Sequence, residues 1–220
     1  MSEKSLAQRI EHTFLKPEAT KSQIKQLCEE AKTHGFCSVC VNSSFVYYCA
    51  QALKDSPVKV CAAVGFPLGA MSTEAKAAET RTAVADGASE IDMVVHVGMV
   101  KSLDWNYVEE DIRSVVDAAG DRAIVKVILE TCLLTDAEKI KVCKIAKKAG
   151  AAFVKTSTGF STGGATIEDI RLMRETVGEE MGVKASGGVR DASFAKELIA
   201  AGATRLGTSS GIAIMKGNDK

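Results

Sequence analysis

The sequence has no excess of charge of either sign and no long apolar run. Its 220 residues include 28 basic and 28 acidic side chains, so the formal net charge is zero. Proteins that bind nucleic acid need clustered positive charge, and no basic block is present. A membrane-spanning helix needs about 20 consecutive apolar residues, and no stretch reaches that length. We therefore predict neither a nucleic-acid partner nor a membrane partner.

Signatures of several other classes are also missing. There is no HExxH motif and no Ser/His/Asp set. Cys37 and Cys40 have zinc-like spacing, but no second Cys/His pair with suitable spacing accompanies them. The seven cysteines mostly lie in apolar runs, so we interpret them as buried thiols and predict no metal. The segment from Met1 to Leu6 lacks the apolar core of a secretory signal, which predicts a cytoplasmic location.

What is present is typical of one globular domain. The chain is 46% hydrophobic and 25% charged, without repeats, linkers or low-complexity tracts. A chain of this length buries roughly 70% of its unfolded surface in a single core. We therefore predict one domain over residues 1–220.

Extended and helical patterns alternate along the chain. Runs of β-branched or small apolar residues predict strands at Ile10–Leu15, Phe36–Val41, Val58–Val64, Ser89–Val95, Ile124–Leu129, Ala151–Thr156, Gly182–Ser186 and Thr204–Thr208. Helical patterns begin near Lys21, Ser43, Ser72, Leu103, Thr135, Thr166 and Ala192. Glycine recurs where a helix gives way to the next strand, at positions 35, 87, 150 and 202. The strand count favours an α/β fold of the (β/α)8 TIM-barrel type, and a doubly wound sheet is the alternative.

Lys155 interrupts an apolar run, Phe153-Val154-Lys155-Thr156-Ser157-Thr158-Gly159. Burying an ammonium costs several kcal/mol unless the group is paired or neutral. An isolated lysine near a strand end often extends its charge into solvent instead. A desolvated lysine with a lowered pKa is, however, the nucleophile that forms a Schiff base with a carbonyl.

Lys184 repeats the pattern in Gly182-Val183-Lys184-Ala185-Ser186-Gly187-Gly188-Val189-Arg190. If the two lysines end adjacent parallel strands, their side chains converge. Each ammonium then disfavours protonation of the other. This arrangement predicts a neutral amine near pH 7.

Charged residues on two other strands could assist. Asp92 faces away from Ile91 and Met93 and could carry protons with either lysine, or could form a structural salt bridge. Lys126 and Glu130 lie four residues apart, so in a strand both would face the barrel interior. A structural Lys-Glu pair and a catalytic role both remain open.

Glycines and hydroxyls follow the last two predicted strands. Gly187 and Gly188 follow the seventh, and Gly207, Ser209 and Ser210 follow the eighth. Barrel enzymes commonly bind phosphate at these positions, through backbone amides and a helix N-terminus. Each glycine alone could simply serve a turn, but together they predict a phosphate site.

The assembled motifs resemble those of the deoxyribose-phosphate aldolases, a family of class I aldolases, nearly from end to end. They are EHTFLKP at 11–17, VGFPLG at 64–69, EID at 90–92, KVILET at 126–131, FVKTSTGF at 153–160, VKASGGVR at 183–190 and LGTSS at 206–210.

The resemblance implies a TIM barrel that reversibly cleaves 2-deoxy-D-ribose 5-phosphate to D-glyceraldehyde 3-phosphate and acetaldehyde, without a metal or organic cofactor. Lys155 matches the Schiff-base lysine, and Lys184 matches the second lysine that lowers its pKa and joins proton transfer. Asp92 matches the acid/base that works through a water, and Lys126 matches a supporting lysine. The family further implies deoxyribonucleoside breakdown and a homodimer.

The resemblance also implies a set of substrate contacts, namely Thr13, Thr156, Gly159, Gly187, Gly188, Gly207 and Ser209. Glu11 stands where the family usually has aspartate, which could shift a contact to a substrate hydroxyl. Phe160 stands where some members carry a lysine, so one phosphate cation is missing. The C-terminal tyrosine that some members use is absent from residues 217–220.

Two other functions are compatible with the residues. One is a different Schiff-base aldolase or a transaldolase-like enzyme on the same barrel, since the lysine specifies imine chemistry and not the sugar. The other is a sugar-phosphate binding protein with buried Lys-Asp pairs, which needs no lowered lysine pKa.

Overall fold

Eight parallel strands form a closed barrel in sequence order, in a computed structural model that describes residues 5–218. The strands are β1 (Ile10–Phe14), β2 (Ser38–Asn42), β3 (Lys59–Val64), β4 (Glu90–Val94), β5 (Ile124–Ile128), β6 (Phe153–Lys155), β7 (Gly182–Ser186) and β8 (Arg205–Thr208). The barrel closes because β1 pairs with both β2 and β8. The predicted TIM barrel is confirmed, and the doubly wound alternative is wrong.

The helices surround the strands. They are α1 (Lys21–His34), α2 (Val46–Ala52), α3 (Thr73–Ala85), α4 (Val97–Lys101), α5 (Trp105–Ala119), α6 (Asp136–Lys148), α7 (Ile167–Val177), α8 (Ala192–Ala200) and α9 (Gly211–Asn218). The sequence patterns predicted neither α4 nor α9, which are both short. Leu103 has a left-handed backbone (φ 58°), which separates α4 from α5 and delays the helix predicted near that residue.

Local signals for the helix ends are confirmed. Thr135 and Glu138 form a complete capping box at the start of α6, and Ser72 accepts the backbone N–H of Ala75 at the start of α3. The glycines predicted to end helices, at positions 35, 87, 150 and 202, all have positive φ. These signals fix where the chain turns back toward the barrel.

Strand alternation sorts side chains into two environments. In β4, Ile91 and Met93 are fully buried in the apolar layer between strands and helices. Glu90 and Asp92 point into the barrel, where Asp92 is 0% exposed. The barrel interior is therefore charged in its middle layers, and the fold directs those charges toward one another.

Residues 1–4 and 219–220 lie outside the described residues. The predicted domain limits of 1–220, the inference from the N-terminal segment and the comparison of the C-terminus partly fall there and stay predictions. Across residues 5–218, every helix is too short or too polar to cross a membrane.

Candidate active site

Lys155 and Lys184 are register partners on the adjacent strands β6 and β7. Their Nζ atoms lie 2.7 Å and 2.6 Å from the same oxygen, Oδ2 of Asp92 on β4. Lys155 is 2% exposed, and the other two residues are 0% exposed. The predicted convergence of the two lysines is confirmed, and Asp92 lies between them.

The second oxygen of Asp92 is also occupied. Oδ1 accepts from Nζ of Lys126 at 2.9 Å and from the thiol of Cys61 at 3.2 Å. Burial by itself raises the pKa of Asp92, but the ammonium groups of Lys126 and Lys155 lower it further than burial raises it. The net pKa lies well below the usual range, so Asp92 is an anion at neutral pH.

The two central lysines differ in basicity. Burial lowers the pKa of Lys155, but the adjacent Asp92 carboxylate outweighs burial and the net pKa is raised. Burial, together with the charge of Arg205, lowers the pKa of Lys184 well below its usual value. The prediction of a lowered pKa at Lys155 is therefore wrong, because the Asp92 carboxylate stabilises its ammonium more than burial disfavours it. The amine whose pKa is lowered is Lys184.

Lys126 is the most heavily paired lysine in the barrel. Its Nζ lies 2.7 Å from Glu90, 2.9 Å from Asp92 and 3.0 Å from Glu11. The predicted pairing with Glu130 is wrong, since Glu130 follows the end of β5 in a left-handed conformation (φ 57°), where strand alternation no longer applies. Lys126 thus neutralises the carboxylates beneath Asp92.

Four potential metal ligands, Glu11, Cys40, Cys61 and Asp92, lie within 4.8 Å of one another. The ammonium of Lys126 lies among them, in contact with Glu11, Asp92 and, at 3.2 Å, the sulfur of Cys61. Burial raises the pKa of Cys61 well above its usual value, which keeps the thiol protonated. The positive charge at the centre of this cluster is supplied by a lysine.

The cysteines form no disulfide. Five are buried as predicted, Cys37 is half-buried and Cys132 is exposed. In the CxxC segment, the Cys37 thiol donates to the carbonyl of Ile10, whereas Cys40 lies beside Asp92. The two thiols therefore have separate partners.

A cavity of about 430 Å³ opens at the carboxyl ends of the strands. Lys155 lines it, whereas Asp92, Lys126 and Lys184 are fully buried. Its other lining residues come from the carboxyl ends of β1, β7 and β8 and from the loops after β1, β6, β7 and β8: Thr13, Phe14, Leu15, Lys16, Thr158, Gly159, Phe160, Ser186, Gly187, Gly188, Val189, Arg190, Gly207, Thr208 and Ser209. A molecule in the cavity can therefore reach one buried amine directly and the other buried charges only through it.

Six of the seven predicted substrate contacts line this cavity; Thr156 does not. Thr156 is fully buried, and its hydroxyl donates to the carbonyl of Ser186 and accepts the N–H of the same residue. These two bonds join the loop after β6 to the loop after β7. A direct contact of Thr156 with substrate stays a prediction.

The glycines of the cavity act in two ways. Gly159 and Gly188 have φ of 83° and 78°, and a Cβ on either would meet no atom within 4 Å, so their backbones border open space. Gly207 is different, because a Cβ there would lie 2.8 Å from Cε of Lys184. The N-terminus of α9 at Gly211 follows Ser209 and adds partial positive charge. The backbone around these glycines can hold an anion, and the absence of a side chain at Gly207 also makes room for Lys184.

The structure shows where the two residues that depart from the family pattern, Glu11 and Phe160, are located. Glu11 is fully buried and contacts Lys184, Lys126 and Arg205, so here it is a counter-ion and not a wall of the cavity. Phe160 is 49% exposed at the cavity mouth, edge-on to Phe66 with ring centroids 5.2 Å apart. An aromatic pair stands where some family members carry a cation.

Sequence reasoning overlooked Glu90 and Arg205. Arg205 pairs with Glu90 at 2.9 Å and contributes to the lowered pKa of Lys184. Glu90 lies two residues before Asp92 in β4, so the strand period already placed both on the inner face. Strand alternation could therefore have predicted that Glu90 faces the barrel interior, but it could not have predicted that Glu90 pairs with Arg205.

Comparison with known proteins agrees with this geometry. The model of the DeoC/LacD aldolase family matches residues 6–217. The chain belongs to this aldolase family. The enzyme is 62% identical over 212 residues to deoxyribose-phosphate aldolase 1 of Oceanobacillus iheyensis, with 96% of each chain covered. It is 60% identical over 217 residues to the deoxyribose-phosphate aldolase of Clostridium perfringens, covering 99% of this chain and 97% of the relative.

A solved structure supports the same assignment. The deoxyribose phosphate aldolase of Aeropyrum pernix, whose structure is described as uniquely tetrameric, matches with a TM-score of 0.92 and 34% identity, covering 98% of this chain and 91% of the other. The enzyme is thus an aldolase, a carbon–carbon lyase, and the alternative of a non-enzymatic binding protein is wrong.

Proposed function

We propose that the enzyme is a class I aldolase that reversibly cleaves 2-deoxy-D-ribose 5-phosphate into D-glyceraldehyde 3-phosphate and acetaldehyde. The observation that carries the proposal is Lys155, an amine that lines the cavity 2.7 Å from Asp92. Lys184 binds the same carboxylate oxygen at 2.6 Å. One reactive amine with a proton route beside it is what imine chemistry requires.

The first step is deprotonation of Lys155, whose pKa is raised by the Asp92 carboxylate. Lys184 can accept that proton because its lowered pKa leaves it neutral and both amines bind Oδ2 of Asp92; this transfer is uphill, and attack by the neutral Lys155 completes it. The neutral Lys155 attacks C1 of the sugar aldehyde, Lys184 returns its proton to the hydroxyl of the adduct, and that hydroxyl leaves as water, which gives the protonated imine and a neutral Lys184. Asp92 therefore connects the nucleophile to its proton acceptor.

Cleavage uses the imine as an electron sink. The hydroxyl on C3 loses its proton to the Asp92–Lys184 relay, the C2–C3 bond breaks, and its electron pair moves through C2 to the iminium nitrogen. D-Glyceraldehyde 3-phosphate leaves with the new carbonyl at C3. The relay returns a proton to C2 of the remaining enamine, and hydrolysis releases acetaldehyde and free Lys155. Over this sequence of steps, the Asp92–Lys184 relay releases as many protons as it accepts.

The phosphate end of the substrate belongs at the cradle of Gly159, Gly187, Gly188, Gly207 and Ser209. Backbone amides and the N-terminus of α9 are suited to an anion, and Arg190 on the cavity wall adds a full positive charge. Thr13, on the opposite loop, is left to contact the sugar hydroxyls. The assignment to cytoplasmic deoxyribonucleoside breakdown by a homodimer belongs to the same proposal.

The test is trapping of the imine. Incubation with 2-deoxyribose 5-phosphate and borohydride, followed by intact mass and peptide mapping, should give an adduct on Lys155 that is absent from Lys155→Ala. A folded protein that yields no adduct would contradict the mechanism. Turnover of a panel of sugar phosphates separates the rival Schiff-base aldolase, since that enzyme would prefer a substrate that releases something other than acetaldehyde.

A further inference from the structure

Glu130 is a buried carboxylate that the proposed mechanism does not use. It lies two residues after the end of β5, is 4% exposed and has a left-handed backbone, which is uncommon for a residue other than glycine. Among residues 5–218, no lysine, arginine or histidine forms a salt bridge with it. Its pairing therefore differs from that of every other acidic side chain in the barrel interior.

Both oxygens of Glu130 accept from one residue. Oε1 accepts the backbone N–H of Thr158 at 3.2 Å, and Oε2 accepts its hydroxyl in a short hydrogen bond. The hydroxyl of Thr158 in turn accepts the N–H of Phe160 at 3.0 Å. Glu130 thus fixes three successive residues, Thr158, Gly159 and Phe160, through a single side chain.

Those three residues line the cavity on the side of β6, beginning three residues after Lys155. Gly159 has a positive φ and borders open space, so its backbone orientation depends on its neighbours. Lys155 itself lies on β6 and is held by strand pairing and Asp92. The carboxylate therefore controls the shape of the anion cradle without controlling the position of the nucleophile.

We propose that Glu130 is a positioning residue that holds the loop Thr158–Phe160 in the shape that recognises the substrate's phosphate. This inference rests on the proposed function. It predicts that Glu130 determines how strongly the enzyme prefers a phosphorylated sugar over the same sugar without phosphate.

Glu130→Gln is the sharpest probe because it keeps the shape of the side chain. A carboxylate can accept from both the N–H and the hydroxyl of Thr158, whereas an amide offers one acceptor and one donor. Thr158 donates both its N–H and its hydroxyl to Glu130, so an amide could accept only one of them and would direct its own N–H at the other donor group. The substitution thus loosens the loop with little change in volume.

The experiment measures kcat and KM for 2-deoxyribose 5-phosphate and for 2-deoxyribose. In Glu130→Gln we expect KM for the phosphorylated sugar to rise at least about tenfold, and the ratio of the two kcat/KM values to fall by a similar factor. Protection of the folded protein by inorganic phosphate, read as a rise in Tm, should weaken in parallel. Reductive trapping of acetaldehyde on Lys155 should persist.

A matched control is Glu79→Gln. Glu79 also accepts through both oxygens, from the Gly65 N–H at 2.9 Å and from the Ser43 hydroxyl at 2.8 Å, but neither of these residues lines the cavity. The control should leave the preference for the phosphorylated sugar at its wild-type value. Two substitutions of Thr158 test the hydrogen bond to Glu130 from its donor side. Thr158→Ser keeps the hydroxyl and should keep the preference for the phosphorylated sugar, whereas Thr158→Val should lose that preference.

Equal losses on both sugars, or an unchanged ratio, would overturn the proposal and leave Glu130 a purely structural residue. If Glu130→Gln does not fold, the Thr158 pair decides by the same criterion. Failure of the proposed function is distinguishable, because it would show as no acetaldehyde adduct on Lys155 in the wild-type enzyme.

Discussion

Among residues 5–218, buried lysines occur in two places. Lys76 lies between α3 and α5, where its Nζ contacts Asp111 at 2.6 Å and the carbonyl of Val94 at 3.0 Å. Lys126, Lys155 and Lys184 lie inside the barrel and share the carboxylates around Asp92.

The two places show that a buried ion pair does not by itself identify a catalytic lysine. Lys76 has a carboxylate of its own and has no access to the cavity, whereas Lys155 shares Asp92 and lines the cavity. Burial lowers the pKa of Lys76 just as it lowers that of Lys184. Sharing Asp92 separates Lys155 and Lys184, the lysines that we propose as catalytic, from Lys76, and only Lys155 of these also lines the cavity. The following changes test that difference.

The largest expected effect is on Lys155. Lys155→Met should reduce kcat for aldol cleavage by about 10⁴-fold or more, since Lys155 is the buried amine beside Asp92, whereas Lys16, which also lines the cavity, has a solvent-exposed side chain. Asp92 keeps Lys126 and Lys184 as partners, so Tm should change little. Steady-state kinetics and thermal melts check both parts, and a large fall in Tm would contradict the claim that the carboxylate is shared.

Lys184→Met should have the second-largest effect on kcat. The variant keeps the nucleophile but loses the proton acceptor, and general acid–base groups contribute about 10²–10⁴-fold in rate. We expect kcat to fall in that range while acetaldehyde can still be trapped on Lys155. An unchanged kcat would remove Lys184 from the relay.

Lys76→Met should lower the stability of the protein rather than kcat. Removing one partner of a buried pair leaves Asp111 unpaired and should cost about 3–5 kcal/mol in the free energy of unfolding. The double variant Lys76→Met, Asp111→Leu should recover most of that loss, because an apolar pair of similar volume is often tolerated. Denaturant unfolding measures the stability. A drop in kcat for the folded double variant would show that this pair is not purely structural.

The smallest expected change is a shift in pH dependence. Because the Asp92 carboxylate raises the pKa of Lys155, neutral amine accumulates only as pH rises toward that pKa, and wild-type imine formation should increase with pH. Asp92→Asn removes the anion, so the profile should move to lower pH by about 1–3 units while turnover falls. Cyanoborohydride trapping of acetaldehyde across pH gives the profile. An unshifted profile would mean that Asp92 does not control Lys155.

Much of the fold could be predicted because its signals are local. Strand alternation, the capping box at Thr135 and glycines at helix ends each act within a few residues, and eight repeats of one unit leave little choice but closure. The same rule placed Asp92 on the inner face. It failed at Glu130, where the strand had ended, and at Leu103, where a left-handed residue divides one helical pattern into two.

The sequence by itself determined the architecture, the two lysines on neighbouring strands and the glycine-rich loops after the last strands, since these depend on local periodicity and on the order of elements. Only the tertiary structure decided which carboxylate each lysine meets. Asp92 reaches both β6 and β7 from β4 across the barrel, and the charge of Arg205 on β8 adds to burial in lowering the pKa of Lys184. Charge interactions depend on separation in space, which a linear pattern does not specify.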